Sequence, residues 1–253
     1  MKIVVAMKQV LDPRGFTVNR KAEKIFVNRE EWITNPADLC ALEAALALKD
    51  KLGAEVVVLS GGPARAADAL RDAWARGADR TIHLSDKAFS TADGCVAARI
   101  LAKAVDKLGA VDLVVCGDRA LDTGAGEVGP RLAEALGWPQ VLGALDVSVQ
   151  DGHAHTVKPD GAGYVELLVG LPALVTLAAG ANQPRYPHGG RIMESYRQYQ
   201  PEAWTAPDLG LSEDELKPLV DQRGQSFPPE RQRGTLLDSP EELVRLLKRN
   251  RVI

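Results

Sequence analysis

The sequence has few cysteines, no long apolar run and no block of positive charge. Its three cysteines, Cys40, Cys95 and Cys116, stand far apart, each inside an apolar pattern. That spacing gives neither a disulfide framework nor a metal set, and it reads as small buried side chains in a reducing compartment. No stretch reaches the ~18 consecutive apolar residues of a membrane-spanning helix. Met1-Lys2 leads directly into strand-like Ile3-Val4-Val5 without a signal or transit pattern, so a cytoplasmic location is expected. A formal net charge of −3 with no Lys/Arg block leaves no reason to expect nucleic acid.

Catalytic signatures are missing as well. Without Gly-Lys-Ser/Thr there is no P-loop lysine to cradle β- and γ-phosphates, so nucleotide binding without hydrolysis is the better reading. Neither Gly-x-Ser-x-Gly nor an activated-cysteine motif occurs. His153 and His155 share one face of an expected hairpin strand, and two ligands alone do not make a metal site. His83 and His188 have no acid–nucleophile pattern near them, and the paired carboxylates Glu30-Glu31 and Glu241-Glu242 read as solvated faces or helix starts. No catalytic constellation emerges.

What is present suits a soluble globular protein: 253 residues, 45% hydrophobic and 26% charged. A chain of this length buries roughly three quarters of its unfolded surface, enough for one doubly wound domain and an appendage. Lys2–Met7 reads as a first, central strand, and Phe16–Asn19 with Lys24–Val27 as a small hairpin. Asn35 as N-cap, Pro36, Asp38 and the apolar face Leu39, Leu42, Leu46 mark a helix that Gly53 stops. Ala54–Leu59 is a second strand, Ala64–Arg76 a helix, and Arg80–Leu84 a third strand. Ser90 and Asp93 read as a capping pair for a helix through Leu108.

The organising stretch follows, from Val111 to Leu136. The short, β-branched run Leu113-Val114-Val115-Cys116 reads as a buried parallel strand ended by Gly117. A glycine loop then leads to a helix starting near Gly129-Pro130. Strand, loop and helix start gather free N–H groups and a positive dipole end at one spot, which suits a phosphate. Gly124-Ala125-Gly126-Glu127-Val128-Gly129 satisfies G-x-G-x-x-G literally, with Asp146 at about the distance of a ribose acid. That fingerprint belongs directly after a first strand, however, and here Asp118–Thr123 intervenes after a fourth, so an NAD-type reading is weak. Glu127 would compete with a phosphate for the same N–H groups. The phosphate is therefore expected on the amides of Thr123–Gly126, or Glu127 turns away.

Four strands alternating with helices predict a parallel sheet of order 3-2-1-4 with its ligand beyond the carboxyl ends, between the first and fourth strands. The loops meeting there are Ala6–Asp12, Ser60–Ala64 and Gly117–Val128. After Gly137-Trp138-Pro139 the pattern alternates in Val141–Val149, His153–Val157 and Tyr164–Leu171, and Ala173–Leu177 is a further strand. Eight of the fifteen prolines lie beyond Ala181, where only Ser239–Arg249 looks regular. Ordering each residue costs about 1–2 kcal/mol. With so little apolar pattern this tail stays loose or wraps a partner, and the apolar side of its last helix favours wrapping.

These residues together resemble the β (small) subunit of electron-transfer flavoproteins over essentially the whole chain. The resemblance is carried by Val4–Lys8, Asn35-Pro36 followed by Ala41–Ala45, Gly77–Arg80, Gly117–Asp122, Gly137–Gln140 and Asn182–Tyr186, in that order. It implies an α/β fold of the adenine-nucleotide α-hydrolase-like kind, a doubly wound, mostly parallel sheet with added antiparallel strands and an extended C-terminal arm. It further implies a heterodimer whose α subunit holds most of the FAD, while this chain is an electron-carrier subunit and not an enzyme. AMP contacts carried over by position are Ala6, Asn35, Pro36, Ala37, Asp38, Gly61, Gly117, Asp118, Arg119, Ala120, Leu121, Asp122, Thr123, Gly124, Ala125, Gly126, Glu127 and Val128. The implied domains are a nucleotide-binding domain over 1–180, a partner recognition loop over 181–200 and an arm over 201–253 that embraces the α subunit. Implied partners are acyl-CoA or other flavin dehydrogenases and a membrane quinone oxidoreductase. Two other readings stand beside this one: a bifurcating type with a second FAD in place of AMP, and a stand-alone ATP-binding regulator. Three positions depart from the family pattern. Relatives often carry Asn-Gln-Thr or Ala-Gln-Val at 126–128, a leucine anchor near Gly189, and in some cases an aromatic at Ala37.

Overall fold

The computed structural model describes residues 1–221, 226–229, 231 and 234–253. They form two compact units, 1–17 with 25–221 and 18–24 with the residues after 221. In chain order the elements are β1 (Lys2–Met7), β2 (Gln9–Leu11), β3 (Phe16–Asn19), β4 (Lys24–Val27), β5 (Trp32–Thr34), α1 (Pro36–Leu52), β6 (Glu55–Gly61), α2 (Ala67–Arg76), β7 (Arg80–Leu84), α3 (Gly94–Leu108), β8 (Leu113–Gly117) and α4 (Val128–Leu136). There follow β9 (Gln140–Ala144), β10 (Asp146–Gln150), β11 (His153–Asp160), β12 (Gly163–Gly170), β13 (Ala173–Leu177), α5 (Gly189–Arg197), β14 (Glu202–Trp204) and α6 (Pro240–Arg249).

Seven strands make one sheet in the order β14-β7-β6-β1-β8-β13-β9. Its pairings are all parallel. The expected order of the first four parallel strands is its centre, β7-β6-β1-β8. β1, β6 and β8 read as apolar runs because both faces are covered, while β7, Arg80-Thr81-Ile82-His83-Leu84, mixes polar and apolar residues. On one face Ile3, Val5, Leu113 and Val115 pack with the buried side of α1. On the other, Val4, Ala6, Val114 and Cys116 pack with α3 and α4. A separate sheet, β10-β11-β12, is antiparallel.

Several local expectations give way. Val141–Val149 is not one strand: β9 joins the parallel sheet beside β13, β10 starts the antiparallel one, and the chain turns between them at Leu145. Gly143 takes a left-handed φ of 70° inside β9, where the pairing with β13 shifts register between Val175 and Leu177. Ser90 and Asp93 do not form a capping pair. Ser90 bonds the carbonyl of Lys87, and Asp93 alone caps α3, accepting from Val96 N at 2.8 Å. The region after Ala181 is more regular than its composition suggests, since α5 and β14 lie there. The large unit continues to Asp221, so residues 201–221 of the expected arm belong to it. Of that arm, 222–225, 230 and 232–233 lie outside the described residues.

In the smaller unit, α6 begins at Ser239, whose Oγ accepts from Glu242 N at 3.2 Å. Glu241 and Glu242 occupy its first turn, Lys248 and Arg249 its last, in the sense its dipole favours. None of its residues is buried, and Leu243 and Val244 are exposed.

Candidate functional site

A cavity of about 500 Å³ opens at the carboxyl ends of β1, β6, β7 and β8, where the sheet order reverses about β1. Of the eighteen expected contacts, Ala6, Asn35, Asp38, Gly61, Gly117, Asp118, Arg119, Ala120, Thr123, Ala125, Gly126, Glu127 and Val128 line it. Pro36, Ala37, Leu121, Asp122 and Gly124 do not. These five shape the lining residues instead. Leu121 N donates to Asn35 Oδ1 at 3.0 Å, Asp122 pairs with Lys8 Nζ at 2.7 Å, and Gly124 N donates to the carbonyl of Ala120 at 2.8 Å. Pro36 and Ala37 start α1, and Ala37 lies directly against Gly117.

Asn35 stands at the N-cap of α1, yet its side chain makes no cap bond. Its Nδ2 donates to the carbonyl of Arg119 at 3.0 Å while its Oδ1 takes the Leu121 amide, so the side chain clamps the loop after β8. Asp38, one turn on, is buried and accepts from Lys8 N at 2.7 Å and Gly117 N at 3.0 Å. Burial raises its pKa to about 7, and the bonds from Asn35, Lys8 and Gly117 oppose that rise.

Glu127 resolves the competition foreseen for the loop. Its Oε1 occupies the space a Cβ at Gly94 would need, and its Oε2 accepts from Arg131 Nε at 3.1 Å. It therefore turns from its own loop toward the first turn of α3. Thr123 N is taken by Asp122 Oδ1 and Gly124 N by Ala120. Among the described residues no hydrogen bond engages the amides of Ala125, Gly126, Glu127, Val128 and Gly129. Those of Glu127, Val128 and Gly129 are N–H groups that the first turn of α4 cannot satisfy internally, and Ala125 and Gly126 precede that turn. Asp118 adds a buried carboxylate oxygen, Oδ1, without a partner.

The opposite wall is apolar, built from Phe89, Ala92, Ala97, Ile100 and Leu101 on and before α3. Free amides, an unpartnered carboxylate oxygen and an apolar wall suit a phosphate, a hydroxyl or amine donor and a ring system respectively. The residues present fit an adenine nucleotide. Sequence reasoning missed the wall before and on α3, from Phe89 to Leu101, and Val220. The rule that ligands sit beyond all the strand ends would have included the loop after β7. No sequence signal marks Val220.

Asp146, the supposed ribose acid, lies on β10 and outside this cavity, which removes the NAD fingerprint. His153 and His155 are exposed on β11, and no group of three metal-ligating side chains occurs among the described residues. No described helix is long and apolar enough to cross a membrane.

Fold and site together define an α/β protein with a crevice at the point where its parallel sheet order reverses. A family model described as "Electron transfer flavoprotein domain" matches residues 24–209. The chain is 35% identical to "Caffeyl-CoA reductase-Etf complex subunit CarD" of Acetobacterium woodii, over the whole of both chains. It is 32% identical to "Electron transfer flavoprotein subunit beta" of Thermoanaerobacterium thermosaccharolyticum, again over both whole chains. "Protein FixA" of Azorhizobium caulinodans is 36% identical over 84% of this chain and 78% of its own. The chain belongs to the electron transfer flavoprotein family, on its β-subunit side. Membership makes it an electron-transfer subunit whose counterpart is an α subunit, with FAD in the complex they form.

Proposed function

We propose that this chain is the β subunit of a soluble, cytoplasmic heterodimer that accepts electrons from a flavin dehydrogenase on an FAD held mainly by the α subunit and passes them toward a membrane quinone oxidoreductase. In this reading the β chain breaks no bonds. It binds AMP as a structural ligand, supports the flavin-bearing subunit and offers surfaces to partners. The observation that carries the AMP reading is the run of five unengaged amides, Ala125 to Gly129, at the switch-point cavity. An acyl-CoA-type dehydrogenase is supported by the relative named for a caffeyl-CoA reductase complex. Docking through residues 181–200 is supported by the exposed Tyr186, Met193 and Tyr196 on and beside α5. Wrapping of the α subunit by the chain end is supported by the unburied apolar face of α6.

A second FAD in place of AMP is the alternative, supported by a cavity of about 500 Å³ that also admits a longer ligand. Family membership speaks against a stand-alone ATP-binding regulator. Co-expression with the α subunit, extraction and chromatography of the released nucleotides separate these readings. One FAD and one AMP per dimer is the expected result. Two FAD and no AMP would replace it with the alternative, and no nucleotide beyond one FAD would overturn both.

A further inference from the structure

The segment from Ala206 to Asp221 runs back along α3, from the end of that helix to its start. Near the C-terminus of α3, Lys107 Nζ donates to the carbonyl of Asp208 at 2.8 Å. Midway, Arg99 Nη1 donates to the carbonyl of Glu215, and Leu209, Leu211 and Leu216 are buried against the same core as Ile100 and Val105. At the N-terminus, Asp93 Oδ2 accepts from Leu219 N at 2.6 Å and from Val220 N at 3.0 Å. The other oxygen of that carboxylate, Oδ1, is the helix cap on Val96 N. One side chain thus fixes both the start of α3 and the backbone at Leu219 and Val220. The carboxyl is held below its ordinary pKa, first by the Val96 amide and then, against some burial, by those of Leu219 and Val220.

Asp93, Gly94 and Val220 all line the nucleotide cavity. Yet Leu219 and Val220 leave their side chains exposed, so their backbone bonds to Asp93 and not apolar burial hold this piece of chain. We infer that Asp93 is a positioning residue of the nucleotide site: its carboxylate holds the Leu219–Val220 backbone as a strap forming one wall of the cavity, so that residence of the nucleotide and the seating of the chain just before 222 are coupled. This rests on the nucleotide reading above. Coupling of this kind is reciprocal: ligand that stabilises the seated strap is itself retained by it.

The test uses the co-expressed heterodimer and AMP. Asp93→Asn keeps an acceptor for the helix cap, since Asn caps as well as Asp, but puts an NH2 where the strap amides need an oxygen. Leu219→Pro removes the shorter strap donor without touching α3. In both variants the release of AMP, followed by dialysis and chromatography, is expected to be about tenfold faster. Hydrogen exchange of the 219–221 peptide is expected to rise, while the FAD of the α subunit stays unchanged. Excess AMP added to nucleotide-stripped complex should slow that exchange in the wild type and not in Asp93→Asn. Wild-type release rates in both variants, or AMP that binds without slowing the exchange, would overturn the strap. A wild-type complex carrying and binding no AMP would overturn the nucleotide reading itself, and it is recognised before any variant is compared.

Discussion

The Asp38 carboxylate accepts the amide of Gly117 at 3.0 Å and that of Lys8 at 2.7 Å. These amides belong to the ends of β8 and β1, the strands between which the sheet order reverses, so a single buried side chain on α1 ties the floor of the crevice together. The fold supplies the crevice by topology, and this contact fixes its width.

Burial raises the Asp38 pKa from its ordinary value of 3.8 to about 7. Between about pH 4 and about pH 7 the unfolded chain has lost this proton and the folded chain keeps it. The folded state then binds more protons, so this group makes stability fall as pH rises through the window and has no further effect above it. Across that window a fall of up to about 4 kcal/mol is expected in denaturant unfolding of the complex, and Asp38→Asn should abolish that component. An identical slope in the variant would assign the effect elsewhere.

Gly117 has no room for a side chain. A Cβ there would lie 2.3 Å from Asp38 Oδ1, 2.7 Å from Ala37 Cβ and 2.9 Å from the Ala37 carbonyl carbon. Gly117→Ala should therefore destabilise by about 1–3 kcal/mol, the usual cost of overpacking. Gly170→Ala, where nothing lies within 4 Å, should stay within about 0.5 kcal/mol. Thermal midpoints of the two variants check the contrast.

The parallel core was legible because β1, β6 and β8 carry β-branched apolar runs and its helices carry stops at Gly53, Gly77 and Gly109. The glycine loop was legible because few other purposes explain its composition. What the sequence hid depends on tertiary partners. Asn35 looks like a cap, and only the folded loop gives it a better use on Arg119 and Leu121. Glu127 looks like a rival for phosphate until α3 is present to receive it at Gly94. β14 spans only Glu202–Trp204, too short to show a period, and gains strand character from its parallel pairing with β7.

Asn35→Ala removes two side-chain bonds to the loop backbone, each worth about 0.5–1.5 kcal/mol. The loop loses its preset position, so AMP affinity in the complex is expected to fall about tenfold or more, measured by calorimetry on stripped protein. A fall in the thermal midpoint with unchanged affinity would make Asn35 purely structural.

Glu127→Gln tests the charge beside the free amides. Its pairing with Arg131 is half exposed, so stability should change by less than about 0.5 kcal/mol. Removing a negative charge from the lining should tighten AMP binding several-fold at low salt and less at high salt. Weaker binding in Glu127→Gln would mean that the carboxylate helps hold the ligand.

On the proposed reading, the amides of Ala125 to Gly129 hold a nucleotide phosphate. A crystal structure of the co-expressed αβ complex, purified without added nucleotide, tests it directly. Phosphate density is expected within hydrogen-bond distance of those amides, with the base against the Ile100 and Leu101 wall. Phosphate density seated elsewhere, or only water along those amides, would contradict it.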